Sequence, residues 1–175
     1  RPLPSGRLTP ENALTFGVLL AVAGLLVLAF AVNPLAGNLG VITLVSYLFI
    51  YTPLKRRSAF CTLVGAFPGA MPPLIGWAAS HGSLRVEAWF LFGIVFLWQL
   101  PHFLAIAWLH QEDYKRAGFQ MLPLLDPEGA MTARQIVLYC LALVPVSLLP
   151  AACGLAGWLY FIGALVSSLA FLGCG

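Results

Sequence analysis

The sequence predicts an all-α, polytopic bundle of transmembrane helices, and three observations carry that prediction. Of 175 residues, 61% are hydrophobic and 9% charged, with a mean hydropathy of +0.93. Soluble domains usually have about 25% charged residues, and disordered chains have low hydrophobicity, so composition excludes both. The charges are also bunched. Residues 12–54, 58–84, 88–111 and 135–175 carry none, and a crossing needs about 20 apolar residues. Finally, no run alternates apolar and polar residues with period two, as barrel strands do. Backbone groups in lipid must then be satisfied within helices.

Six spans follow in order. The first run breaks at turn chemistry, Asn33-Pro34 and Gly37-Asn38, which separates spans at about 12–32 and 38–54. The third, about 60–80, contains Pro68, Pro72 and Pro73. Three prolines predict a bent or broken helix, tolerated where it borders a cavity. Gly65 and Gly69 in the same span form a GxxxG pair, which favours close helix packing. The fourth span is about 88–109. The last run breaks between Gly154 and Gly157, giving spans at about 133–152 and 156–174. Together they form one domain, 1–175. Cys61, Cys140, Cys153 and Cys174 have no metal spacing and read as small packing residues.

Basic residues set the orientation. Arg1, Arg7, Lys55, Arg56, Arg57, Lys115, Arg116 and Arg134 fall on one side of this topology and Arg85 alone on the other. The positive-inside rule puts the N-terminal segment and the connections at 55–59 and 110–132 in the cytoplasm, or in the matrix of a mitochondrion.

Two of these cytoplasmic segments hold most of the polar chemistry. Tyr51-Thr52-Pro53-Leu54-Lys55-Arg56-Arg57 is either a membrane anchor or a diphosphate clamp, since Lys and Arg grip phosphate oxygens as point charge and fork. Tyr51 and Lys55 share a face if the backbone stays helical through Pro53. The connection from His110 to Thr132 holds four of the six acids, Glu112, Asp113, Asp126 and Glu128. It is either an ordinary solvated loop or a site in which Asp113, with Glu112, holds Mg²⁺. That ion takes one or two carboxylates and completes its shell with phosphates and water. In the fourth span, Trp98 and His102 are one helical turn apart. An intramembrane imidazole is functional by default, although His102 can equally serve a carbonyl freed by Pro101.

These residues lie in stretches that resemble a known family. RPLPSGRLTP at 1–10, YTPLKRRS at 51–58, GAFPGAMPPLIGW at 65–77, WQLPHFLAIAW at 98–108 and EDYKRAGFQMLP at 112–123 are similar, in order and spacing, to the haem O synthases, a branch of the UbiA-type membrane prenyltransferases. The resemblance spans nearly the whole chain and is weakest in the last two helices. It implies nine helices around a central cavity, of which about six are present, so the chain reads as an internal fragment not expected to turn over alone. It also implies transfer of a farnesyl group from farnesyl diphosphate to a vinyl group of haem B. Water adds in the same overall reaction, giving haem O. Mg²⁺ is expected on two acidic motifs, the first of which precedes RPLPSGR in the family. Many relatives have an arginine near the place of His110.

On this resemblance, Asp113 is the first metal ligand and Glu112 a second. Lys55 and Arg56 bind diphosphate with Tyr51 as a hydroxyl donor, and Lys115, Arg116 and Arg7 are further contacts. Trp98, Phe103 and Tyr114 offer aromatic faces to the farnesyl cation. His102 contacts the haem iron or a propionate, or only orients its helix. Haem B is a substrate here, not a cofactor. The expected setting is the bacterial cytoplasmic (inner) membrane, with haem A synthase or terminal oxidase assembly as partners and no nucleic acid. Two rivals remain on sequence alone: a UbiA-type enzyme acting on a quinone or chlorophyll-type precursor, and a transporter. The charges gather on one face and none lies deep in a span, which suits a transporter poorly.

Overall fold

The computed structural model describes residues 5–174, which are helical without strands. Arg1 and the rest of the RPLP segment lie outside the described residues. Four helices are long and apolar enough to cross a membrane: α1 (Pro10–Val32), α2 (Pro34–Leu54), α4 (Val86–Leu109) and α7 (Ala130–Ala152). Between them, α3 (Cys61–His81) has 21 residues. The last helix, α8 (Trp158–Cys174), is apolar and has 17. The connection from 110 to 130 contains two short helices, α5 (Gln111–Arg116) and α6 (Leu122–Leu125).

Local chemistry explains the helix starts. Thr9 caps α1, its hydroxyl accepting from the Asn12 N–H at 3.3 Å, with Pro10 at the first position. Asn33 caps α2 in the same way, its side-chain oxygen accepting from the Ala36 N–H at 2.8 Å before Pro34. A side-chain cap followed by proline is a strong start signal. It begins α2 at Pro34, so Gly37 and Asn38 lie inside the helix and form no turn. Gly37 serves packing instead: a Cβ there would lie 2.7 Å from that of Ala29 on α1.

Two further expectations are corrected. Of the bent or broken helix expected for the third span, the break is absent: α3 is helical through all three prolines. By the helical hydrogen-bond register, the carbonyls of Val64, Pro68 and Gly69 lose their N–H partners. The GxxxG pair does not seat a neighbouring helix backbone. A Cβ at Gly65 would meet the Tyr51 ring, and one at Gly69 the Gln99 amide. In addition, α1 ends in a π-helical stretch, Val27–Val32, and α2 contains one before its last turn, Ser46–Tyr51, which nothing in the sequence marked.

The ends of the bundle can be told apart by their hydrogen bonds. At one end the Asn33 side chain donates to the Ala78 carbonyl at 2.7 Å, tying the α1–α2 turn to the end of α3. At the other, the Gln120 N–H donates to the Lys55 carbonyl at 2.9 Å, tying the α2–α3 connection to that between α4 and α7. Following the helices from these ties puts Arg7, Lys55, Arg56, Arg57, Lys115, Arg116 and Arg134 at the second end and Arg85 at the first. A core of Ala36, Leu39, Met71, Leu74, Ala78 and Ala88 fills the first end. At the second, Cys61, Ala107 and Met121 pack beneath Tyr51, Tyr114 and Phe119. Cys61 and Cys140 are buried, and all four cysteines are free.

Candidate active site

A cavity of 680 Å³ runs between α1, α2, α3 and α4, within the range of small-molecule sites. Its walls are mostly apolar. At the basic end it is lined by Tyr51, Thr62, Tyr114 and Met121, and farther in by Gly65, Phe103, Gly69 and Gln99. Thr62 and Ile75, both in its wall, are 13 residues apart on α3, so the cavity extends about 20 Å along that helix.

Tyr51 closes the π-helical stretch of α2, and its ring lies in the notch left by Gly65. Its neighbour Tyr47 is 5.3 Å away, centroid to centroid. The backbone remains helical from Tyr51 through Pro53 and Leu54, which brings Lys55 over the same site. The Lys55 ammonium lies 5.8 Å from the Tyr51 ring centroid and 5.3 Å from that of Phe119. Both distances are in cation–π range. Phe119 in turn packs on Tyr114 at 5.5 Å. The segment carrying the acids is thereby fastened to the basic end of the bundle by a backbone bond, a pair of rings and a cation.

The carboxylates sit just outside. Asp113 and Glu112 are exposed in the first turn of α5. Glu112 approaches Lys115 at 4.0 Å, with both side chains largely exposed, an ion pair of little energetic weight. Among the described residues no three His, Cys, Asp or Glu side chains converge on one point. A self-sufficient protein metal cage is thus missing there. A hard cation held by one or two carboxylates and substrate phosphates has suitable donors in Asp113 and Glu112. Asp126 serves the fold instead. It is buried, and its carboxylate accepts from the Thr132 N–H at 2.7 Å at the start of α7.

The structure therefore brings Tyr51, Lys55 and Tyr114 together, with Phe103 lining the same cavity and Asp113 exposed next to Tyr114 on α5. Arg56, Lys115 and Arg116 are exposed at the same end, and Arg7 lies exposed ahead of α1. Trp98 and His102 stack at 5.2 Å on a flank of α4 that does not line the large cavity. Trp98 faces a separate hollow shared with α7 and α8. The residue that sequence reasoning missed is Gln99. It is 4% exposed, and its Nε2 donates to the Ala66 carbonyl at 2.6 Å. Its signal was present: it lies one turn from Phe103, and a lone amide within an apolar span requires a partner.

The model of the UbiA prenyltransferase family matches residues 1–174. The chain belongs to the UbiA prenyltransferase family. Within this family it is 58% identical over its full length to a protohaem IX farnesyltransferase of Solibacter usitatus, covering 60% of that protein. It is 47% identical over its full length to the protein of the same name from Myxococcus xanthus, covering 59%. A third of that name, from Koribacter versatilis, is 45% identical over 95% of this chain and 54% of its own length. The UbiA-family chain thus spans about three fifths of the first two relatives. No solved structure matches it.

Proposed function

We propose that this chain forms part of the catalytic domain of an integral membrane prenyltransferase, which it shares with the rest of the full-length protein. Its reaction transfers a farnesyl group from farnesyl diphosphate to a vinyl group of haem B, producing haem O. The observation that carries the reading is one long apolar cavity with Tyr51 and Tyr114 at its basic end, Lys55 over the Tyr51 ring and Asp113 next to Tyr114 in the chain. The names of the three relatives supply the substrates. The chain acts as one domain with six membrane crossings. Its basic end faces the cytoplasm, in the inner membrane of a bacterium, and haem A synthase or terminal oxidase assembly receives the product.

In this reading the hydrocarbon chain lies along the cavity, away from water, and the diphosphate stays at the basic end. Lys55 binds diphosphate oxygens and Tyr51 donates its hydroxyl. Arg56, Lys115, Arg116 and Arg7 add positive charge around them. Asp113 and Glu112 would hold Mg²⁺, which when bound would supply positive charge to the departing diphosphate. The rings of Phe103, Tyr114 and Tyr51 offer their faces to the carbon skeleton as positive charge grows on it. The haem vinyl group is the nucleophile, so no activated serine or cysteine is needed. His102 and Trp98, outside this cavity, form a second aromatic surface suited to a porphyrin edge.

Two substitutions in the full-length protein test the assignment. Asp113→Asn is expected to lower haem O formation by about 100-fold even at saturating Mg²⁺, and near-normal formation would remove Asp113 from the metal site. Lys55→Ala is expected to weaken farnesyl diphosphate binding about tenfold or more, measured by titration in detergent; unchanged affinity would remove Lys55 from the clamp. Product analysis with haem B against 4-hydroxybenzoate separates this reading from a quinone-precursor enzyme.

A further inference from the structure

Gln99 is a buried amide in the wall of an apolar cavity, and its two ends are treated differently. Nε2 is fixed by its bond to the Ala66 carbonyl. That carbonyl is not one the prolines deprive of a helical donor, since those belong to Val64, Pro68 and Gly69. The bond therefore orients the amide without rescuing an orphaned backbone group. Oε1 lies in the notch over Gly69, where a side chain as small as alanine would strike it. Among the described residues no hydrogen bond to this oxygen occurs. The oxygen is not sealed from the cavity, unlike the unpartnered hydroxyls of Thr62 and Thr132, so it stands open to whatever occupies that space.

Its depth shows what would use it. Gly65, which receives the Tyr51 ring, and Gly69, which receives the amide, are one turn apart on α3, about 5–6 Å along the axis. The oxygen thus lies one turn farther from the basic end than Tyr51, with Phe103 on the same face of α4. A diphosphate held at Lys55 would put the first carbons of its prenyl chain at this level.

We infer that Gln99 is a catalytic residue whose amide oxygen faces the allylic carbons and stabilises the positive charge that develops there. The C1–O bond breaks with both electrons leaving on the diphosphate, and the charge spreads over C1 to C3. The fixed carbonyl dipole meets that charge in a low-dielectric cavity, where such a contact is strongest. The charge passes to the acceptor as its π electrons form the new C–C bond to C1, and is discharged there when water adds and a proton is lost to solvent. The inference rests on the proposed reaction only in requiring that an allylic diphosphate ionise in this cavity.

The test compares Gln99→Met, which keeps the shape and loses the oxygen, with Gln99→Glu. A buried Glu is neutral, and its O–H can donate to Ala66 while its second oxygen faces the cavity. In the full-length protein, diphosphate release is measured as kcat and KM. Affinity for farnesyl thiolodiphosphate, which binds without ionising, reports an intact cavity. Gln99→Met is expected to lower kcat roughly tenfold or more with unchanged affinity for the thiolo compound, and Gln99→Glu to recover most of the loss. The inference is overturned if the Met variant turns over like wild type, if its thiolodiphosphate affinity falls in step with kcat, or if the Glu variant is equally slow. Wild-type protein that releases diphosphate without modifying haem B would refute the haem assignment and leave this comparison intact.

Discussion

A methyl group placed on Gly65 would lie 2.6 Å from Tyr51 Cε2. The ring must then shift toward the cavity, disturbing its contacts with Tyr47 and the Lys55 ammonium. Gly65→Ala is therefore expected to cost about 1–3 kcal/mol through overpacking and to weaken farnesyl diphosphate binding as Tyr51 moves. Thermal unfolding in detergent and a binding titration read the two effects. Gly76, in the same helix, is the control: a Cβ there meets nothing within 4 Å. Gly76→Ala should be neutral or stabilising by about 0.5–1 kcal/mol. The pair also marks a limit of the sequence. A GxxxG shows that one helix face lacks side chains, but the occupant of that space comes from distant residues, here a tyrosine and a glutamine.

At the scale of elements, Asp126 and Asp113 belong to the same connection but have different roles. Asp126 is buried against the first turn of α7, bonded to the Thr132 N–H, where a carboxylate also meets the positive end of the helix dipole. Asp126→Ala should cost about 1–2 kcal/mol of stability, seen as a lower unfolding temperature, with farnesyl diphosphate affinity unchanged. Asp113→Asn should show the reverse pattern. In sequence the two acids looked alike, because burial and capping depend on how the chain folds back. The six long helices were legible to within a few residues: charge-free runs bounded them and Asn33-Pro34 marked a cap, although Gly37-Asn38 marked no turn. The π-helical stretches were not legible, since apolar residues such as Val27–Val32 suit α- and π-geometry equally. Yet π-helical turns are frequent at functional sites, and the one ending at Tyr51 sets how that ring meets α3.

In the whole molecule, the site requires particular groups to share a membrane face. The Asn33–Ala78 bond belongs to one end of the bundle and the Lys55–Gln120 bond to the other. Seven of the basic residues gather at the second end and Arg85 lies at the first. A divalent cation and a cationic clamp can grip one diphosphate only if both stand at the same end. Single cysteines introduced at Arg57, Arg116 and Arg85 test this, in a background with Cys153 and Cys174 changed to serine, since Cys61 and Cys140 are already buried. With a membrane-impermeant maleimide, positions 57 and 116 should react in inside-out vesicles and not in intact spheroplasts, and position 85 the reverse. Labelling of 57 and 116 from opposite faces would put the membrane between Lys55 and Asp113, and no common diphosphate could then reach both.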